Sequence, residues 1–522
     1  MLLETFLPVL WPLLSAIVVL LAKSAGFKWQ RAISFLAVFV LVVINANSLM
    51  VAFDLPPQVY ALGNWVAPFG IVMVLDQLSA TMVLLTSLLA LAAMWFAVRQ
   101  QVDQQGSHFH VLFQIQLFGL NGAFMTGDVF NLFVFFEVLL LASYGLLLHG
   151  GGRLKTRAGL HYVALNLVGS TLFLFAVGAL YGILGTLNLA DMAVKVANLS
   201  ADDQGVVAAA GLMLLLVFGI KAAMFPLYLW LPQAYANTSA PVAALFAIMT
   251  KVGIYAIIRI HGTLFGDQAG DLSAIHIPWV LWLGIITLVL AALGALASRN
   301  LREQVAYVVL ASISTLLIGV GIHSQEAMAA TLFYLIHSTL IAGAMFLIAD
   351  LIRQGRGEAE DNFIKAHAMP NAVLMGGIFM VAAIAMAGLP PLSGFMGKLL
   401  VLSAALDHAD FFWILAAVLV SSLLLIIALA RAGSLLFYNV LPKEQCHTVD
   451  GKPVCEAPKS LNIKGVSSII GLLSVAIILV IWANHFHQLT RSIATQVFDQ
   501  NLYQQQVLQV ETIANPHKEL VQ

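Results

Sequence analysis

Five charged side chains stand inside segments that otherwise carry no charge: Asp76, Glu137, Lys221, Lys251 and Lys398. Lys221 and Lys251 are the only charges between Asp203 and Arg259, and Lys398 is alone between Lys365 and Asp407. Glu137 is alone between Asp128 and Arg153, and Asp76 between Asp54 and Arg99. The chemistry open to such a set is proton transfer. A desolvated lysine gives up its proton within a titratable range, whereas an arginine keeps its own at any working pH. A carboxylate about 6 Å away opposes that loss by roughly 2.8 kcal/mol at an effective dielectric near 20, so movement of Glu137 relative to Lys221 would load or unload a proton. The alternative for Glu137 and Lys221 is a pair that merely locks two helices, which leaves Lys251 and Lys398 without an acid of their own. Asp76 reads either as a member of the relay or as a structural charge at the membrane edge. His337, His161, His261 and His323 are candidate extensions of the relay or hydrogen-bonded packing residues, with His337 the deepest, in YLIHSTL.

The surroundings of these groups fix the solvent. Of 522 residues, 61% are hydrophobic and 9% charged, far below the roughly 25% charged of soluble domains, which excludes a water-soluble fold. A net charge of -1 from 24 basic and 25 acidic residues offers no polybasic face for nucleic acid. Two cysteines, Cys446 and Cys455, are too few for a disulfide scaffold or an iron–sulfur cluster, and with His447 they lack a fourth metal ligand. No cofactor or metal is expected, and the sequence holds no nucleotide-binding glycine fingerprint or nucleophile elbow.

Apolar runs of about 20 residues predict an all-α polytopic membrane protein with about 14 spans, the first being the N-terminal run, which lacks a basic n-region and a cleavage site. The seventh span, 205–230, and the twelfth, 371–406, are expected to be broken, the first by Pro226 and Pro232 and the second by Pro390 and Pro391. Broken helices in two corresponding halves are a transporter device. They predict two inverted five-helix repeats, at 109–262 and 277–438, after N-terminal helices in 1–108 and before a cytoplasmic loop, a last helix and a polar tail in 439–522. The tail after residue 486 is expected to be a short helix or disorder outside the bilayer. Lys and Arg concentrate in alternate loops, while the other loops hold only Lys195 and Arg259 beside many acids. That asymmetry places both termini on the non-cytoplasmic side of a cell inner (plasma) membrane.

LDQLSATM at 75–82, FVFFEVLLLASYGLL at 133–147, KAAMFPLYLWLPQAYANTSAPVAALF at 221–246, KVGIYAIIRI at 251–260 and AGLPPLSGFMGKLL at 387–400 carry a resemblance that covers nearly the whole chain. The sequence resembles the antiporter-like family shared by Mrp-type Na+/H+ antiporters, the membrane arm of respiratory NADH:quinone oxidoreductase and membrane-bound hydrogenases. The resemblance implies that Glu137 is the family's fifth-helix glutamate, Lys221 its seventh-helix lysine, Lys251 its eighth-helix central lysine and Lys398 its twelfth-helix terminal lysine, the four relaying protons. It also implies other membrane subunits as partners, with H+ and Na+ as cargo. A redox-driven membrane-arm subunit and a scaffold with vestigial charges are the rival readings. The chain departs from the family pattern at Tyr228 and Tyr235, where histidines are frequent, and at Ile341, Ala342 and Gly343, where many members carry a lysine.

Overall fold

The computed structural model describes residues 2–441, 447–449, 452–454 and 462–509; Cys446 and Cys455, and with them the weighed metal site, lie outside the described residues. Helices α1 (Leu2–Leu21) and α2 (Phe27–Asp54) open the chain, followed by a two-stranded antiparallel hairpin of β1 (Gln58–Ala61) and β2 (Val72–Leu75). The hairpin takes the start of the expected third span, so that helix α3 (Gln77–Arg99) begins only after Asp76, whose carboxylate caps it by accepting from Ser79 N at 2.8 Å. Helices α4 (Phe109–Met125), α5 (Val129–Leu147), α6 (Arg153–Leu184) and a short α7 (Leu189–Ala197) follow.

The broken seventh span resolves into α8 (Ala201–Lys221) and α9 (Trp230–Asn237). Pro226 lies in the break, whereas Pro232 lies in the first turn of α9, where a missing N–H is harmless. Next come α10 (Ala240–Ala256), extended by a π turn at Ile257–His261 and by α11 (Gly262–Leu264), then α12 (Ile277–Ala297), α13 (Leu301–Gly321) and α14 (Gln325–Gly355). The twelfth span breaks into α15 (Ala372–Ala387) and α16 (Ser393–Ala404), before α17 (Phe411–Gly433) and α18 (Val466–Ile481). The polar tail forms two helices, α19 (Ala483–Phe498) and α20 (Gln500–Leu508). These pack on the body through Arg491 to Glu326 at 2.8 Å and Gln500 Nε2 to Gly262 O at 2.7 Å.

Among the described residues, 12 helices are long and apolar enough to cross a membrane, and α4, α15 and α16 are shorter apolar helices. Three of these spans are enclosed by other helices on nearly every side, which suits segments whose polar groups lipid would not solvate. The span continuing α10 is 100% buried and those of α13 and α14 are 94% buried. These three form the centre, and they carry Lys251, a row of hydroxyls and His337. The outer helices expose one apolar stripe each, as on α6 at Leu160, Leu167 and Phe175, a surface suited to lipid or a neighbouring subunit.

Candidate functional site

Each break in a spanning helix frees backbone groups that must find partners away from water, and here the partners surround the lysines. After Lys221 the chain turns through Ala223, held in the left-handed region at φ 56°. The freed Phe225 N–H donates to Thr287 Oγ1 at 2.9 Å, and Ile220 O accepts from the Trp230 indole at 3.0 Å. Gly253 lets α10 press against this turn, because a Cβ there would sit 2.6 Å from Ala222 N. In the second break Ala385 O accepts from His337 Nε2 at 3.1 Å, while His337 Nδ1 and Ser393 Oγ are 2.7 Å apart. Lys398 Nζ donates to Ala387 O at 2.8 Å and to Ser422 Oγ at 3.0 Å. An ammonium on the terminal carbonyl of α15 also faces the negative end of that helix dipole.

Lys221 and Glu137 are near one another, but among the described residues no ion pair joins them, so the alternative of a pair locking two helices is not what stands here. Helix α6 stands between. Lys221 Nζ donates to Asn166 Oδ1 at 3.0 Å, and Ser170 Oγ donates to Glu137 Oε1. Asn166 and Ser170 are four apart on α6, so one face of that helix presents both groups. The ammonium also lies 5.6 Å from the Phe136 ring centre, a cation–π contact. The hydrogen bond given by Ser170 and the one accepted by Asn166 thus place α6 between the acid and the base without joining them directly.

Lys251 is fully buried, and its Nζ has no hydrogen-bond partner among the described residues. A permanent charge in that position would be very costly, so the side chain must alternate with a neutral form or be reached by water. Two small cavities lie beside the other lysines, and neither is lined by Lys251 itself. One is lined by Lys221 and Asn166 and by Met249 and Val252, which lie near Lys251 along α10. The other is lined by Lys398, Ser312, Thr315, Tyr334 and Ser422. Tyr334 belongs to α14, which packs directly on α10.

The remaining candidates fall elsewhere. Asp76 is drawn into a buried ion pair with Arg259 at 2.5 Å, beneath the Tyr503 ring, whose centre is 5.4 Å from the guanidinium. Arg259 therefore belongs to the packed interior rather than to the loop inferred from the sequence, and the pair accounts for both charges structurally. His161 is exposed on α6. His261 is buried, but it faces α8 and His276 rather than the lysines. Asn166, Ser170, Ser393 and Ser422 were not singled out by sequence reasoning, because a hydroxyl or amide in a spanning helix carries no charge signal. Only the four-residue spacing of Asn166 and Ser170 hinted at a polar face.

Comparison with known proteins agrees with this architecture. Residues 126–424 match the family model described as NADH:quinone oxidoreductase/Mrp antiporter, TM. A protein of Rhizobium meliloti (strain 1021), named as the D subunit of a probable K(+)/H(+) antiporter, is 44% identical over 424 residues, covering 77% of this chain and 78% of that protein. The D subunit of the Na(+)/H(+) antiporter of Alkalihalophilus pseudofirmus (strain ATCC BAA-2126 / JCM 17055 / OF4) is 34% identical over 510 residues, 96% of this chain and 98% of that one. A chain in the structure of the Mrp complex from Dietzia sp. DQ12-45-1b superposes with a TM-score of 0.84 at 28% identity, over 97% of this chain and 100% of that one. The wordings AGLPPLSGFMGK at 387–398 and YLIHSTL at 334–340, which within the family resemble the Mrp D subunit, thus stand in a chain whose relatives carry that name. With broken helices, buried lysines and near full-length similarity in agreement, this chain belongs to the NADH:quinone oxidoreductase/Mrp antiporter transmembrane family and groups with its D-type antiporter subunits.

Proposed function

We propose that this chain is the proton-translocating subunit of a multisubunit monovalent cation/proton antiporter, with Glu137, Lys221, Lys251 and Lys398 as the proton relay and Na+ or another monovalent cation as the coupled ion. The observation that carries it is the row of three buried lysines across the centre of an apolar bundle. Two of them sit at helix breaks and the third has no protein partner among the described residues. A structural role requires each charge to be paired with an opposite one, and these are not; a proton path requires groups that can lose their charge, and lysine is such a group. His337, which hydrogen-bonds the second break, is a further station in this reading. The antiporter names of the relatives favour cation exchange over a membrane-arm subunit driven by electron transfer, the second reading open to the family.

The same proposal includes two inverted repeats at 109–262 and 277–438, flanked by 1–108 and 439–522. It takes α4 as one crossing and α15 with α16 as one, giving about 14 spans by the length rule. In support, Lys221 ends the half-helix before its break, while Lys398 lies in the half-helix after its own. Both termini lie on the non-cytoplasmic side of the plasma membrane, in keeping with the loop charges. The basic loops carry Arg31 with Asp103, and Arg302 with Asp361; α19 binds Glu326 on the acidic side.

Lys251 gives the sharpest test. In vesicles with equal amounts of intact complex, Lys251→Arg is expected to lose cation-induced dequenching of a pH dye, because guanidinium keeps its proton. Lys251→His is expected to retain partial exchange with an altered pH dependence, since imidazole titrates near 6.5 in water. Near-normal exchange by the arginine variant would show that positive charge suffices and would remove Lys251 from the path.

A further inference from the structure

Three histidines from separate parts of the sequence line up between the first half of the bundle and the C-terminal helices. His261 ends the π turn after α10, His276 precedes α12, and His323 follows α13. The His261 and His276 ring centres are 5.0 Å apart, and those of His276 and His323 are 6.5 Å apart. Exposure rises along the row: His261 is 0% and His276 2% exposed, while His323 is partly open. The outer end reaches a small cavity lined by His276, His323, Asp267, Phe498 and Gln500, with Asp267 exposed at its rim. His323 holds a left-handed backbone at φ 51°, a conformation that orders its ring at some energetic cost.

The inner end touches the helix of Lys221. His261 Nε2 lies 3.0 Å from Gly211 O, and its ring packs edge-on against Phe218, one turn before Lys221, at 5.7 Å. A carbonyl only accepts, so Nε2 carries the hydrogen and Nδ1 is a lone pair. The Nδ1 atoms of His261 and His276 are both buried without a protein partner among the described residues. Buried polar atoms normally find partners, and two such atoms in adjacent rings mark a place where protons or water are exchanged. Among the described residues no group of three or more His, Cys, Asp or Glu is arranged to hold a metal ion, which separates this row from a metal centre. The titratable groups facing it are the three histidines themselves and Asp267; from the C-terminal helices Val497, Phe498 and Gln500 face the cavity and bring no charge.

The geometry points to His261, His276 and His323 as a proton port that opens beneath α19 and α20 and serves the half-channel containing Lys221. Each imidazole accepts a proton on its free nitrogen from the cavity side and releases it to the next group inward, returning to its neutral form, so nothing is consumed. Phe498, whose ring centre is 5.7 Å from that of His323, covers the entrance, and Asp267 draws protons to it. The inference rests on the relay reading for its destination, but its test does not depend on Lys251.

In vesicles bearing the whole complex, His276→Gln and His323→Gln are expected to lower exchange about a hundredfold, the low end of proton-transfer effects, and to change the shape of the rate–pH profile. His323→Ala, with a cavity in place of the ring, is expected to regain part of the rate when imidazole is added. Unchanged rate and pH profile in a His276→Gln/His323→Gln double variant would overturn the port. So would a loss of rate with an unaltered profile that imidazole does not restore, which marks a packing role. If Lys251→Arg exchanges normally while the histidine variants change the profile, the relay falls and the port stands; silent histidine variants beside a dead Lys251→Arg remove only the port.

Discussion

Lys398 differs from Lys251 in having partners, and its substitution should therefore separate transport from folding. Lys398→Ala leaves Ala387 O and Ser422 Oγ without the ammonium, a loss of about 1–3 kcal/mol for hydrogen bonds to a charged group. That is small for a bundle of this size, so the complex should assemble, as native gel electrophoresis would show, while vesicle exchange disappears. Full exchange by the assembled variant removes Lys398 from the relay. The opposite result is expected at Asp76 and Arg259. Removing one partner of that buried pair strands the other charge, at roughly 3–5 kcal/mol. Asp76→Asn or Arg259→Leu should thus lower the amount of folded protein in membranes. The double replacement should recover much of it, since it strands neither; equal losses in all three would deny that the pair is structural.

At the scale of elements, the turn after Lys221 is held by its side-chain donors and acceptors rather than by helix propensity. Thr287→Val should orphan the Phe225 N–H, whose hydroxyl partner is 2.9 Å away, at about 1–3 kcal/mol. The expected outcome is slower exchange and a lower melting temperature of the purified protein; wild-type values for both would mean that the turn needs no hydroxyl. On the basic side, Asp103 clasps Arg31 at 2.7 Å and His110 at 3.1 Å. Burial raises its pKa, but the hydrogen bonds from His110 and Arg31 outweigh burial and hold the carboxyl below its ordinary value. Its stabilisation is therefore complete above about pH 4, the unfolded value, and is lost as pH falls through the lower folded value. Asp103→Asn should lower stability at pH 7 and flatten the acid limb, read as melting temperature against pH; an unchanged acid limb would count against this assignment.

For the whole molecule, α5 turns a stripe of Phe130, Val134 and Leu141 outward, with partly exposed Glu137 on the same stripe. A charge facing lipid at mid-span costs about 2.5–3.5 kcal/mol on insertion scales, so this face belongs against another membrane subunit. Cysteine at Val134 or Leu141 should cross-link to a neighbouring subunit in native membranes, and labelling by a lipid-soluble reagent without cross-linking would show a lipid face instead. What the sequence determined by itself follows from local composition. Twenty-residue apolar windows fixed the solvent, lone charges in them marked Glu137, Lys221, Lys251 and Lys398, and Pro226 and Pro391 announced the breaks, because a proline lacks its N–H whatever surrounds it. Tertiary structure decided which groups meet. It set Asn166 and Ser170 between an acid and a base, took Asp76 and Arg259 into one pair, folded the polar tail onto the body, and gathered His261, His276 and His323 from a helix end and two connections. Those partnerships depend on helix packing over long sequence separations, where a neutral amide or hydroxyl looks the same in sequence whether it holds a helix or a proton.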